Sequence, residues 1–117
     1  EINDHIVNVN RQFSYDAKDD FEDAFFDFIY IDATHTYESV LSDLNDYFPK
    51  LKASGVIAGH DWSSNFPGVK KAVKEFVKDN NLKFLTSGRI NVTRPGKKSK
   101  ASKSVFLSTT DWALVRE

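Results

Sequence analysis

The sequence predicts an α/β fold with a parallel core and an antiparallel C-terminal end. Three observations carry this. The apolar run Phe25-Phe26-Asp27-Phe28-Ile29-Tyr30-Ile31 ends in Asp32-Ala33-Thr34-His35. A second run, Gly55-Val56-Ile57-Ala58-Gly59, ends in His60-Asp61-Trp62. Between them lies a segment of helical period, so the three pieces describe a βαβ unit. In a right-handed βαβ unit both strand ends open on the same sheet edge. Open α/β sheets bind ligands in the crevice outside those ends.

The elements follow in order. Ile2, Ile6, Val7 and Val9 suggest a short strand. Ser14 is a plausible N-cap for an acidic helix from about Tyr15 to Asp23, whose early Asp residues suit the helix dipole. Phe25 to Ile31 is short, aromatic and β-branched, the signature of a buried strand, with Asp27 expected at its entry. From Tyr37 to Lys52 the apolar positions Tyr37, Val40, Leu41, Leu44, Tyr47, Phe48 and Leu51 form the stripe of an amphipathic helix. Thr36 can cap its start and Gly55 can stop it, while Pro49 predicts a kink or an early end near Phe48. Val56 to Ala58 forms the next strand and Ser63 to Phe66 a polar loop. Pro67 and Gly68 open a second helix with Val69, Ala72, Val73, Phe76 and Val77 on one face, stopping at Asn80-Asn81. Leu82 to Thr86 reads as a strand and Arg94 to Lys103 as a basic loop. Val105 to Leu107 and Trp112 to Val115 suit a terminal strand pair or one interrupted strand.

At 117 residues, 40% of them hydrophobic and ten of them Phe, the chain fits one compact domain, residues 1–117. No apolar run approaches the roughly 18 residues of a membrane span. No signal-peptide pattern opens the chain, and a cytoplasmic setting is expected. The absence of Cys excludes a disulfide framework, a thiolate metal site and a Cys nucleophile. With no Met, even at position 1, the sequence is expected to begin inside a larger reading frame or after processing. Charge is uneven: residues 1–61 carry 13 acidic and 4 basic side chains, residues 62–117 carry 4 acidic and 12 basic. Such asymmetry marks a nucleic-acid surface or an acidic partner, or else halves that attract each other or charges that are simply solvated.

Several pieces together carry a family resemblance. They are Ile31-Asp32-Ala33-Thr34-His35, Tyr37, Asp43-Leu44, Lys52-Ala53-Ser54-Gly55, His60-Asp61 and Gly68-Val69-Lys70-Lys71-Ala72-Val73. In this order, Phe26 to Lys78 resembles the C-terminal half of a class I S-adenosylmethionine-dependent methyltransferase, most of all the branch acting on small molecules or sugars. The resemblance implies a partial Rossmann-like methyltransferase fold, strands four to seven with their helices. The half that carries the Gly-rich cofactor loop is absent; no Gly-x-Gly occurs in the chain. Ala33 and Ser54 stand where the family often has Gly, and Thr34 where sugar methyltransferases can carry a second Asp. The implied cofactor is S-adenosylmethionine, and enzymatic activity would require residues beyond this chain or from a partner.

The resemblance marks the catalytic candidates Asp32, His35, His60 and Asp61. Asp32 is either a ligand-facing carboxylate near the methyl donor or a helix-capping Asp. His35 is either a general base or a loop-bonding side chain; His60 could equally remove a substrate proton. Asp32, His60 and Asp61 also form a mixed oxygen and nitrogen set suited to a divalent metal held through Asp32 and Asp61. Ser14, Asp32 and Ala33 are the cofactor-binding candidates, with a plain N-cap as the other reading of Ser14. Trp62 is a candidate for the substrate pocket, or else core. Asp43 lies on the polar side of its helix and is expected to make structural hydrogen bonds.

A small-molecule substrate is therefore expected. The alternative is a binding module derived from this fold. Arg94, Lys97, Lys98, Lys100 and Lys103 could touch phosphates, but without interleaved aromatics they suggest only backbone contact with nucleic acid. Sheet edges left bare by missing strands would favour a homo-oligomer.

Overall fold

The computed structural model describes residues 11–32, 34–92 and 103–117. Its elements run α1 (Ser14–Ala17), β1 (Phe26–Ile31), α2 (Tyr37–Tyr47), β2 (Leu51–Gly59), α3 (Pro67–Asn80), β3 (Leu82–Leu85), β4 (Gly88–Val92), β5 (Lys103–Leu107) and β6 (Trp112–Arg116). The main sheet has the order β1-β2-β6-β3, and β4 and β5 form a separate ribbon. β1 and β2 are parallel, whereas β6 is antiparallel to both β2 and β3. This is the α/β class expected, a parallel core with an antiparallel end.

Side chains alternate across the main sheet with the period of a pleated strand. Ile29, Ile31, Ile57, Trp112, Leu114 and Leu82 face α2 and α3, where Val40, Leu44, Val69, Val73 and Phe76 complete the larger core. Val56, Ala58 and Ala113 face the other way and pack with Leu107, Ile90 and Val105 of the ribbon. The sheet is thus covered by helices on one side and by a β-ribbon on the other. Both faces of β2 are buried, which explains its continuous apolar run.

Local chemistry sets the boundaries. Thr36 Oγ1 accepts the Ser39 N–H at 3.2 Å and caps α2. The helix ends at Tyr47 and tightens into a 3₁₀ turn over Phe48–Lys50, the early stop that Pro49 demands. This is the early end near Phe48 that was expected, and Leu51 and Lys52, at the foot of the apolar stripe, already belong to β2. Gly55, expected as a helix stop, lies inside β2. A Cβ there would sit 2.8 Å from the Asp27 carbonyl, so the close approach of β1 requires glycine. The segment Lys52-Ala53-Ser54-Gly55 is accordingly strand.

Two further expectations are corrected, and one about Asp27 holds. The acidic helix from Tyr15 is one turn, Ser14–Ala17, followed by a 3₁₀ turn over Lys18–Asp20, and Phe13 rather than Ser14 holds its N-cap position. Asp27, second in β1, lies at the strand entry as expected, at a register shift between Phe26 and Phe28, with Lys52 Nζ 3.4 Å away. β5 and β6 do not pair with each other: β5 pairs with β4, a strand the sequence reading passed over. The expected strand among residues 2–9 lies outside the described residues. Among the described residues, no helix is long and apolar enough to cross a membrane.

Candidate functional site

The C-terminal ends of β1 and β2 lie side by side, with Ile31 paired to Gly59. The next residues, Asp32, His60 and Asp61, are therefore brought together. His60 Nδ1 lies 3.2 Å from Asp61 Oδ1 and 4.0 Å from Asp32 Oδ1. One ligand-type atom from each residue falls within 4.8 Å of the others. Asp32 is the most open of the three, its side chain 59% exposed, while that of Asp61 is 20% exposed. The strand-end pairing thus delivers an imidazole with carboxylates on its Nδ1 side, one of them facing solvent.

Asp61 occupies the left-handed backbone region at φ 66°. Asp tolerates this better than most residues, but it still costs a non-glycine about 1 kcal/mol. Hydrogen bonds on both sides hold it. The Ser63 N–H donates to the Asp61 carbonyl at 3.0 Å, and the Trp62 N–H donates to the Thr110 carbonyl at 2.9 Å.

His60 Nε2 meets the hydroxyl of Thr110 at 3.1 Å. Thr110 lies in the turn between β5 and β6, which is itself braced. Asp111 accepts from the Ser108 N–H at 2.8 Å and from the Tyr30 hydroxyl at 2.8 Å. Burial pushes the Asp111 carboxyl upward, but hydrogen bonds from Ser108 and Tyr30 and the neighbouring His60 outweigh it, and the net shift is downward. The Tyr30 hydroxyl is pushed well above its ordinary range by burial first, then by its bond to Asp111 and the nearby carboxylates. The sequence reading missed Tyr30, Ser108, Thr110 and Asp111. The Ser108-Thr109-Thr110-Asp111 stretch has clear turn chemistry. Only the antiparallel pairing of Gly59 with Trp112 brings it against His60.

His35 is not part of the trio. Its exposed ring packs on Phe66, with centroids 4.3 Å apart, at the entry to α3. Trp62 packs on Phe84 at 4.7 Å, with Lys70 Nζ 5.2 Å from its ring centre. It walls a hollow of ≈ 180 Å³ with Lys74, Val77 and Phe84. Thr34 donates its hydroxyl to Ser39.

Ser14 does not cap α1 but donates its hydroxyl to Asp43 Oδ1 at 2.5 Å. Asp43, expected on the polar side of its helix, is instead 6% exposed. Burial raises its carboxyl, aided by Asp46 and opposed by the Ser14 bond. Ser14, Asp43 and Tyr47 line a cavity of ≈ 190 Å³ with Ile29, Tyr30, Ile31 and Asp32, along the outer edge of β1. One end of this cavity therefore reaches the trio. Ala33 lies outside the described residues, as do Arg94, Lys97, Lys98 and Lys100; Lys103 is the first residue of β5.

Comparison with known proteins assigns the class. A family model described as a methyltransferase domain matches residues 1–62, just over half of the chain and the stretch containing Asp32, His60 and Asp61. The chain belongs to this methyltransferase-domain family. Solved structures similar to it include an S-adenosylmethionine-dependent O-methyltransferase from Thermotoga maritima, at 13% identity and a TM-score of 0.43, covering 84% of this chain and 35% of that one. A tRNA (m1A58) methyltransferase from Aquifex aeolicus is similar at 11% identity and a TM-score of 0.40, covering 80% of this chain and 36% of that one. The chain thus spans about a third of the length of these structures. No curated protein matches it.

Proposed function

We propose that this chain forms the acceptor side of an S-adenosylmethionine-dependent methyltransferase acting on a hydroxyl of a small molecule or sugar. The observation that carries the reading is the apposition of Asp32, His60 and Asp61 at two adjacent parallel strand ends. Oxygen methylation needs a group that accepts the hydroxyl proton as the oxygen attacks. Asp32, open to solvent, is the member of the trio best placed to accept that hydrogen bond. Asp61 and His60 form the fixed wall behind it. Both His60 nitrogens already have partners, so the ring orients and polarises rather than receiving the first proton.

The cofactor, when bound, supplies an electrophilic methyl on a cationic sulfonium. The groove along β1 fits such a group in part: Ile29 and Ile31 offer apolar wall, and Asp32 offers opposite charge. Ser14 is already committed to Asp43, so its contribution is to shape the groove rather than to bind directly. Residues beyond this chain would hold the remainder of the cofactor.

The test is methyl transfer from radiolabelled S-adenosylmethionine by the native polypeptide that carries this sequence, against catechols, sugars and tRNA. Transfer to the small hydroxyl compounds, reduced about 100-fold by Asp32→Asn, is the expected result. Transfer to tRNA would replace the substrate class, and absence of both cofactor binding and transfer would remove the reading. The close ligand atoms of the trio also favour a second reading, a bound divalent cation. Loss of transfer on chelation, restored by Mg²⁺ or Mn²⁺, would select it.

A further inference from the structure

The β4–β5 ribbon presents two unlike faces. Side chains alternate along each strand, and directly paired residues share a face. Gly88 pairs with Leu107 and Ile90 with Val105, and Ile90, Val105 and Leu107 pack onto the main sheet. Arg89 pairs with Phe106 and Asn91 with Ser104, and all four of these residues are exposed. Phe106 is 74% exposed, the most open of the large hydrophobic side chains among the described residues. The pleat leaves no choice, because turning Phe106 inward would turn Val105 and Leu107 out.

The outward face combines groups that suit a base and its phosphate. Cβ atoms of directly opposed residues lie about 5 Å apart, so the Arg89 guanidinium is within reach of whatever lies on the Phe106 ring. Among the described residues, Arg89 has no carboxylate partner and Phe106 no stacking ring. The Ser104 hydroxyl donates to Asn91 Oδ1 at 3.2 Å, which leaves the Asn91 amide nitrogen to donate elsewhere. The hairpin sequence, residues 88–107, carries six basic and no acidic side chains, half of all the basic residues in 62–117. Such a field draws in a polyanion.

We propose that the exposed face of the β4–β5 ribbon binds single-stranded nucleic acid, a base stacking on Phe106 while Arg89 contacts the adjoining phosphate. In the sequence the basic stretch from Arg94 to Lys103 has no aromatic residue, which limits it to backbone contact; the pairing of β5 with β4 supplies the ring. A membrane surface matches less well. Interfacial binding needs a broad apolar face, and here one ring stands among Arg89, Asn91 and Ser104. A duplex also matches less well, because its bases already stack on one another. The proposal does not rest on the methyltransferase reading, since none of the four residues belongs to the Asp32, His60 and Asp61 site.

The experiment measures binding of the native polypeptide to oligouridine and oligothymidine of roughly 12 nucleotides, to a duplex of equal length, and to phosphatidylserine vesicles. Single strands should bind more tightly than the duplex. Affinity should fall as salt rises, with a log–log slope of about −0.7 per phosphate contacted, and Arg89→Gln should flatten that slope by about 0.7. Phe106→Leu, which keeps apolar bulk but removes the ring, should weaken binding roughly ten-fold, and Phe106→Trp should retain it. Both side chains are exposed, so these variants leave the core intact. Binding of either sugar supports the proposal, and the ratio of the two affinities tells RNA from DNA. No binding at low salt, equal affinity for duplex and single strand, or no response to Phe106→Leu would overturn it. Binding to the vesicles in place of the oligonucleotides would overturn it too. If the oligonucleotides bind as expected while the native polypeptide transfers no methyl group, the ribbon site stands and the methyltransferase reading fails.

Discussion

Trp112 fills the space that a side chain at Gly59 would need. The two residues face each other in register across β2 and β6, and a Cβ on Gly59 would sit 2.3 Å from Trp112 Cζ2 and 2.8 Å from the Ile31 carbonyl. The indole lies under the site because its N–H donates to the His60 carbonyl. Gly59→Ala should therefore cost about 2–3 kcal/mol, an overpacking penalty with a backbone atom on one side. Urea unfolding should show a lower midpoint at unchanged m. A midpoint within error of the wild type would show that the β1–β2–β6 packing has slack there.

Arg116 closes the opposite end of the same strand pair. Its guanidinium donates to the Lys52 carbonyl at 2.7 Å, approaches the Phe48 and Leu51 carbonyls, and stacks 4.3 Å over the Phe48 ring. The planar fork reaches carbonyls where the Pro49 turn runs into β2. Arg116→Ala should lose about 2 kcal/mol, and Arg116→Lys should recover less than half of it. Full recovery by Lys would reduce the role to charge alone.

Asp43 and Asp111 should give stability profiles of opposite sign. Asp43 is raised in the folded protein, mainly by burial, so the folded state holds its proton more tightly than the unfolded chain. Its contribution is largest below the ordinary carboxylate value and fades as pH rises through the raised one. Asp111 is lowered, so its contribution is present above the ordinary value and is lost as pH falls through the lowered one. Asp43→Asn should gain stability relative to wild type near neutral pH and lose that advantage in acid. Asp111→Asn should lose stability near neutral pH and converge on wild type in acid. Unfolding midpoints across acid to neutral pH check both, and profiles of the same sign would contradict the assigned environments.

Asn81 ends α3 in the left-handed conformation, at φ 52° and ψ 53°. Asn81→Gly should be neutral or slightly stabilising, whereas Asn81→Val should lose about 1–2 kcal/mol because its branched side chain resists that region. Thermal midpoints of the two variants should separate in that order; equal midpoints would mean that the cap relaxes.

Elements with strong local signals were legible in the sequence. The β1–α2–β2 unit, the Pro49 stop, the α3 stripe and the Asn81 cap each rest on residues within one turn or one strand of each other. The apposition of Asp32 with His60 and Asp61 was also legible, because handedness alone puts those strand ends together. What was not legible depended on distant pairing. Gly88 to Val92 has the alternation of a strand, but only β5 gives it a partner. Asp43 looked polar because its helical stripe carries no sign of Ser14, which covers it from α1. Thr110 carried no functional signal at all until β6 placed it beside His60.

The strand order has a kinetic consequence. β6 follows β3 and the ribbon in the sequence, yet it lies between β2 and β3, with Leu114 partnering both Ile57 and Phe84. Before β6 arrives, β2 has an open edge and β3 has no neighbour in the main sheet. Such non-local insertion must overcome loop-closure entropy before any contact rewards it, which slows folding. The arrival of β6 also delivers Thr110 and Trp112 to His60, so the site and the sheet are completed in one step. A chain that has made everything up to the ribbon would expose an unpaired, apolar β2 edge, the state in which this protein is most open to aggregation or chaperone capture.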